Sequence, residues 1–144
     1  MSISQLFVTQ KLSARASFGL LALRLVAGLA FIYHGHSKIQ NPFDWMGPNS
    51  DMLGILQALA AVAEFGGGLA WMIGLLMPLA SFGLLCTMGV AVWTHVKVIG
   101  DPFVSTKGGG SWELAGVYLC VAVLLIAAGP GRFSADRVLF GEKG

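Results

Sequence analysis

The chain has 144 residues, of which 56% are hydrophobic and only 11% are charged, and its formal net charge at neutral pH is +2. Soluble domains carry about twice that charged fraction, so the composition excludes water as the main solvent and predicts an integral membrane protein. The small, dispersed positive charge argues against nucleic acid as a partner. The length suits one domain, expected to cover residues 1–144.

Four apolar stretches predict four transmembrane helices, because each is close to the roughly 20 residues that cross a bilayer core. They cover residues 17–36, 52–76, 78–98 and 112–128. Proline and glycine residues interrupt the chain between them, and Pro78 lies where it can start the third helix. The expected fold class is an all-α membrane protein, an antiparallel bundle of four transmembrane helices.

The first stretch also has the beginning of a signal peptide, since Lys11 and Arg15 precede it. It contains Arg24, however, and it ends in the letters HGHSK rather than in a small-residue cleavage site. We therefore expect a retained helix.

The basic residues predict the orientation in the membrane. The terminal segments hold Lys11, Arg15, Arg132, Arg137 and Lys143, whereas the two longer loops hold Lys38, Lys97 and Lys107. Because the positive-inside rule counts Lys and Arg, this distribution favours cytoplasmic tails at residues 1–16 and 129–144. The expected location is the bacterial cytoplasmic (inner) membrane.

Arg24 and Glu64 are ionisable residues inside predicted spans. An unpaired charge at the bilayer centre costs on the order of 3 kcal/mol, so the two opposite charges predict an intramembrane ion pair. Such a pair is either a structural contact that fixes helix register or part of a ligand or proton site. Gln57 and Trp71 lie at seven-residue intervals from Glu64, so we expect this stripe to face the interior.

Small residues on the second predicted helix indicate close helix packing. Gly66, Ala70 and Gly74 recur at four-residue spacing, and Gly67 adds a neighbouring small position. Small residues at this spacing let transmembrane helix backbones approach closely. We therefore expect these four residues to form the packing face.

A polar and aromatic cluster is expected at the membrane face opposite the tails. Its members are His34, His36, Trp93, His95, Trp112 and Glu113. Tryptophan is typical of interfacial belts, but histidine is not, and imidazole can both donate and accept hydrogen bonds. The six residues are therefore candidates for binding a small polar headgroup such as a quinone, with structural hydrogen bonds as the alternative. A metal or haem site has no diagnostic ligand spacing here, so none is expected.

The two cysteines, Cys86 and Cys120, both lie in apolar runs. Buried cysteine usually behaves as a small hydrophobic residue, so this interpretation is favoured over a redox pair.

Four segments, in order, resemble the DoxX family of bacterial membrane proteins. They read RLVAGLAFIYHGHSKI (24–39), AEFGGGLAWMIGLL (63–76), PLASFGLLCTMGVAVWTH (78–95) and GPGRFSADR (129–137). The resemblance implies a four-helix membrane bundle. Some relatives are subunits of thiosulfate:quinone oxidoreductases or terminal quinol oxidases, and others are linked to complexes that handle thiols and oxidative stress. The family-like positions, whose roles the family does not fix, are Arg24, His34, Gly35, Lys38, Glu64, Gly67 and His95.

The resulting hypothesis is a quinone-linked membrane subunit of an oxidoreductase or respiratory-type complex. It would be at most an accessory subunit, because the sequence has no haem, flavin, iron–sulfur or dinucleotide motif. Quinone would be its one bound cofactor. In this hypothesis His34 and His95 hydrogen-bond the quinone carbonyls and Glu113 manages protons.

Two alternatives remain open: a non-catalytic scaffold that assembles a larger membrane complex, and a small transporter acting as an oligomer. The expected partners are the lipid bilayer, a membrane or membrane-associated protein and, for a homo-oligomer, further copies of the chain.

Overall fold

A computed structural model describes residues 3–143, and over that range the fold is all-α. Its α-helices are α1 (Ala14–Gln40), α2 (Gly54–Ile73), α3 (Met77–Trp93), α4 (Glu113–Ala128) and α5 (Ala135–Phe140). A short 3-10 helix (Ile3–Leu6) precedes α1, and a π-helical segment (Thr94–Ile99) continues α3. The described residues form no strand, although an isolated bridge joins Thr9 to Glu142.

Local sequence signals explain where these helices begin and end. The Ser13 hydroxyl accepts a hydrogen bond from the amide of Ala16 and caps α1. Gly74 ends α2 at a φ of +71°, a left-handed conformation that glycine adopts without steric cost. α2 therefore ends at Ile73, before the end of the apolar stretch at residue 76. Pro78 lies in the first turn of α3, as its position in the sequence predicts.

Three helical runs in the described part of the chain are long and apolar enough to cross a bilayer. They are Ala14–Gln40, Gly54–Ile73 and Met77–Ile99, the last including the π-helical segment. α4 is apolar but has only 16 residues, a length of about 24 Å at the rise of an α-helix. Three predicted spans are thus confirmed as candidates by length and composition, and the fourth stays a prediction.

The helices pack in chain order, α1 against α2, α2 against α3 and α3 against α4. Trp71 lies fully buried among them, with its ring centroid 5.4 Å from that of Phe31 and its indole N–H donating to the Ser81 hydroxyl at 3.0 Å. Many other large apolar side chains point outward, for example Phe18, which is 66% exposed, and Val26, which is 73% exposed. An apolar outer surface of this kind suits contact with lipid.

α1 and α2 approach each other through glycine. A Cβ atom added to Gly28 or Gly68 would lie 2.7 Å from the carbonyl oxygen of the other glycine, and one added to Gly35 would lie 2.5 Å from the Phe65 nitrogen. These contacts fix the antiparallel register, because Gly28 lies opposite Gly68 and Gly35 lies opposite Phe65. The two backbones are closer here than any other residue type would allow.

The predicted packing stripe needs correction at Gly66, which lies exposed on α2. Gly67 packs against Leu84 of α3, Ala70 is half-buried, and Gly74 is the helix terminus rather than a position on a helix face. Gly68, the third residue of the glycine run, makes the closest contact instead. The sequence GGG does not indicate which glycine faces inward, since that depends on the partner helix.

The loop between α1 and α2 packs against the first turns of α2. The Trp45 indole N–H donates to the Gln57 carbonyl at 2.9 Å, and the Gln57 side chain accepts from the Met46 amide at 3.0 Å. By the glycine register, α2 therefore begins about one turn beyond the end of α1.

The residues after α4 fold back over the turn between α2 and α3. The Asp136 carboxylate accepts hydrogen bonds from the amides of Leu76 at 2.7 Å and Met77 at 2.9 Å. Thr9 then joins the two terminal segments, because its amide donates to Gly141 and its carbonyl accepts from Lys143. Both predicted tails thus pack at the same end of the helices, and their cytoplasmic location stays a prediction.

Candidate functional site

Glu64 forms an ion pair with Lys38. The Lys38 ammonium donates to both carboxylate oxygens, at 2.6 and 2.7 Å, and Glu64 is only 2% exposed. Lys38 also lies 4.4 Å from the ring centroid of Trp45, within the range of a cation–π contact. The pair is therefore held from two sides, by α2 and by the loop that precedes it.

The predicted pairing of Glu64 with Arg24 is wrong, and the helix register is the reason. Arg24 lies level with Trp71 at one end of α2, whereas Glu64 lies level with Lys38. Arg24 and Lys38 are about four turns apart along α1, roughly 21 Å. α1 extends to Gln40, beyond its predicted end at residue 36, and α2 begins only at Gly54 after the packed loop at 41–53. The middle of α2 therefore lies level with the end of α1 rather than with Arg24.

Arg24 is fully buried and donates to backbone carbonyls instead of a carboxylate. Its acceptors on α2 are Trp71 at 2.9 Å and Met72 at 3.3 Å, and its acceptors after α4 are Phe133 at 2.9 Å and Pro130. Five N–H groups in a fixed planar arrangement suit this task. Arg24 therefore ties the C-terminal segment to the α1–α2 pair.

Asp136 carries the opposite charge in the neighbourhood of Arg24. Burial raises the pKa of the Asp136 carboxyl above its ordinary value, while the amides of Met77 and Leu76 and the charge of Arg24 act to lower that pKa. This end of the molecule is a polar network that holds chain segments together.

The π-helical segment after α3 positions a second polar pair. His95 Nδ1 lies 2.6 Å from Asp101 Oδ2. The His95 carbonyl accepts from the amides of both Gly100 and Asp101, at 2.9 and 2.8 Å, and this turn brings the Asp101 carboxylate back to the ring. π-helical turns are frequent at functional sites, where they displace a side chain from the helical pattern.

The Lys38–Glu64 pair and His95 border one cavity of about 270 Å³. The lining residues, which come from α1 to α4 and neighbouring segments, are Phe31, His34, Lys38, Glu64, Met88, Ala91, His95, Ser111, Leu114, Ala115 and Tyr118. An ion pair, two imidazoles and two hydroxyls face apolar and aromatic walls. Sites for small ligands with a polar head and an apolar body have this composition.

The six residues predicted to bind a quinone do not all lie at one site in the structure. Among them His34 and His95 reach the cavity. Trp112 and Glu113 line a separate apolar groove of about 570 Å³ on another face of α4, together with Cys120.

The remaining two candidates, His36 and Trp93, are exposed and line neither opening. The expectation that all six meet therefore fails, because neighbouring residues on a helix point in different directions.

Sequence reasoning missed Lys38 and Tyr118 as lining residues. His34 and Lys38 are four residues apart on α1 and therefore share a face, which is a signal the sequence contains. Tyr118 lies in an apolar stretch without such a signal, and its ring centroid is 4.8 Å from that of Phe31.

In the described part of the chain, His, Cys, Asp and Glu side chains form no group of three suited to a metal ion. Cys86 and Cys120 are free and exposed. Their position on the outside of the helices differs from the buried location expected from their apolar surroundings.

Substitution of Lys38 by Met is expected to lower the free energy of unfolding by about 2–3 kcal/mol, because it leaves the buried Glu64 carboxylate without its partner. Glu64→Met should have a similar effect. The double variant should recover most of the loss, since it removes both charges together. Thermal unfolding in detergent measures each difference, with Lys97→Met, an exposed lysine, as the control. Additive losses in the double variant would contradict the coupling.

The family of the chain emerges from comparison with known proteins. The DoxX family model matches residues 19–97, which is more than half of the chain. Searches of curated proteins and of solved structures returned no match. The matched range covers most of α1 and all of α2 and α3, with Lys38, Glu64, His34 and His95, and it ends before Asp101 and Tyr118.

Proposed function

The chain belongs to the DoxX family and is a multi-pass integral membrane protein, and we propose that it is a quinone-binding membrane subunit of an oxidoreductase complex. The observation that carries the proposal is the cavity in which the Lys38–Glu64 pair, His34 and His95 meet. Its polar groups can hold the oxygens of a quinone ring, and its apolar wall can hold the ring itself.

The aromatic pair Phe31–Tyr118 supports a planar ligand. The two ring centroids lie 4.8 Å apart at the cavity wall, and Phe31 is fully buried and therefore held in place. Aromatic side chains favour offset or edge contacts with another ring. A quinone ring has the size and flatness for such a contact, and a cavity of about 270 Å³ is large enough to hold one.

The proposed topology is a four-helix membrane bundle in a bacterial inner membrane, with both terminal segments in the cytoplasm. α4 is the shortest of the four spans, and a bilayer adapts to a short span by thinning locally. The meeting of both terminal segments at one end of the helices supports an even number of spans. The cavity then opens at the opposite membrane face.

The chain would act with a partner that carries the redox centre. Electron transfer needs a cofactor, and the sequence holds no motif for haem, flavin or an iron–sulfur cluster. In this arrangement the chain binds and orients the quinone, and the partner exchanges electrons with it.

Protein purified from its native membrane in mild detergent is expected to retain roughly one quinone per chain, as suits a site for one ring. His34→Ala and His95→Ala should each lose most of this ligand, counted as quinone and quinol together, because each removes a polar contact from the cavity wall. His36→Ala should retain it, since His36 lies outside the cavity. Solvent extraction followed by mass spectrometry measures the stoichiometry. A quinone-free wild-type preparation that copurifies with a larger complex would instead indicate a structural subunit.

A further inference from the structure

We propose that Asp101 determines which ligands the cavity accepts, by fixing His95 in the tautomer that selects a hydroxyl group on the ligand. The inference rests on the proposed function of the cavity and goes one step further, since it assigns the reduced quinol as the preferred form. Asp101 is a positioning residue in this scheme, because it acts through the imidazole.

We assign the position of the imidazole proton from the hydrogen bond between the two side chains. An ionised carboxylate only accepts hydrogen bonds, so the 2.6 Å contact with Asp101 requires a proton on His95 Nδ1. A neutral imidazole has one N–H group, so Nε2 then carries a lone pair. The ring nitrogen that is left for a ligand is an acceptor.

The backbone holds this arrangement in place. The His95 carbonyl accepts from the amides of Gly100 and Asp101, which fixes the turn that connects the two side chains. The side chains of His95 and Asp101 are only 32% and 16% exposed. Rotation of the ring by half a turn would break the contact with Asp101, so the acceptor stays directed away from that carboxylate.

The charged pair at the cavity offers both an acceptor and a donor, because the Lys38 ammonium has a third N–H beyond the two that Glu64 accepts, so His95 is the group that discriminates between the two forms. Glu64 is a second acceptor, and Lys38 occupies one lone pair on each of its two carboxylate oxygens. A quinol hydroxyl can donate to Nε2 of His95, whereas a quinone carbonyl would place its lone pairs against that of the nitrogen. The hydroxyls of Tyr118 and Ser111 adapt to either form, because a hydroxyl both donates and accepts. His34 is the remaining titratable group in the lining.

The test compares the affinity of the purified protein for a short-chain quinol and for the matching quinone, in detergent and without oxygen. Wild-type protein is expected to bind the quinol about tenfold more tightly, as one additional hydrogen bond allows. In Asp101→Asn the amide can donate to Nδ1, which moves the imidazole proton to Nε2, so the preference should disappear or reverse. Asp44→Asn, at an exposed loop carboxylate, should leave the preference unchanged.

Equal or tighter binding of the quinone by wild-type protein overturns the inference about Asp101 and leaves the quinone site itself intact. A preference for quinol that persists in Asp101→Asn also overturns it. Failure of wild-type protein to bind either form removes the proposed function as well. The ratio of the two affinities separates a positioning role from a structural one, because loss of folding would weaken both ligands equally.

Discussion

Replacement of Arg24 by Met is expected to lower the free energy of unfolding by about 4 kcal/mol or more. Arg24 is fully buried and donates to carbonyls of α2 and of the segment after α4, at Trp71, Met72, Pro130 and Phe133. Methionine fills much of the same volume but donates no hydrogen bond, so these carbonyls would lose their partner away from water. Thermal unfolding in detergent, followed by size-exclusion chromatography, measures the loss.

Arg15→Met provides the matched control, because Arg15 lies on the same helix and is exposed. Its unfolding temperature should stay close to that of the wild type. Arg24→Lys should recover only part of the stability, since an ammonium has three donors and lacks the planar arrangement of the guanidinium. Wild-type stability in Arg24→Met would show that water satisfies the carbonyls and that Arg24 does not tie the segments together.

Gly68→Ala is expected to destabilise the chain by several kcal/mol, although alanine is intrinsically the better helix former by about 1 kcal/mol. A Cβ atom at this position would lie 2.7 Å from the Gly28 carbonyl oxygen and 2.9 Å from the Ile32 nitrogen. Both neighbours are backbone atoms of α1, so the whole helix would have to move. The unfolding temperature of the purified variant in detergent measures the effect.

The neighbouring glycines supply the controls within the same run. A Cβ atom on Gly66 meets only the Val62 side chain, at 4.0 Å, so Gly66→Ala should be neutral or stabilising. A Cβ atom on Gly67 would lie 3.1 Å from the flexible Leu84 side chain, so Gly67→Ala should have an intermediate effect. Equal effects at all three positions would contradict the assigned helix face and register.

These two structural features also position the candidate site. The Gly28–Gly68 contact sets the register of α1 against α2, and that register brings Lys38 level with Glu64. A variant that shifts the helices by one turn would move the two charges about 5 Å apart along the helix axis. Gly68→Ala should therefore weaken ligand binding in the cavity, even though residue 68 does not line it.

Composition and residue spacing were enough to predict a membrane protein, its helical class and the residue types from which a site could form. Hydropathy and small-residue content act through local composition, so they identify a membrane protein and its apolar helices without any knowledge of contacts. The same applies to the start of α3, because Pro78 restricts its own backbone. The rule that histidine is unusual at a membrane interface also selected His34 and His95, but it selected His36 equally, and His36 lies outside the cavity.

Which residues come into contact depends on how the helices pack. Glu64 pairs with Lys38 rather than Arg24 because α1 extends to Gln40 and α2 begins only at Gly54, which places the middle of α2 level with the end of α1. Asp101 reaches His95 through a π-helical turn that hydropathy does not reveal. Depth counted along a sequence assumes that neighbouring helices begin level with each other. Backbone contacts between helices set the actual register, and those contacts exist only in the folded chain.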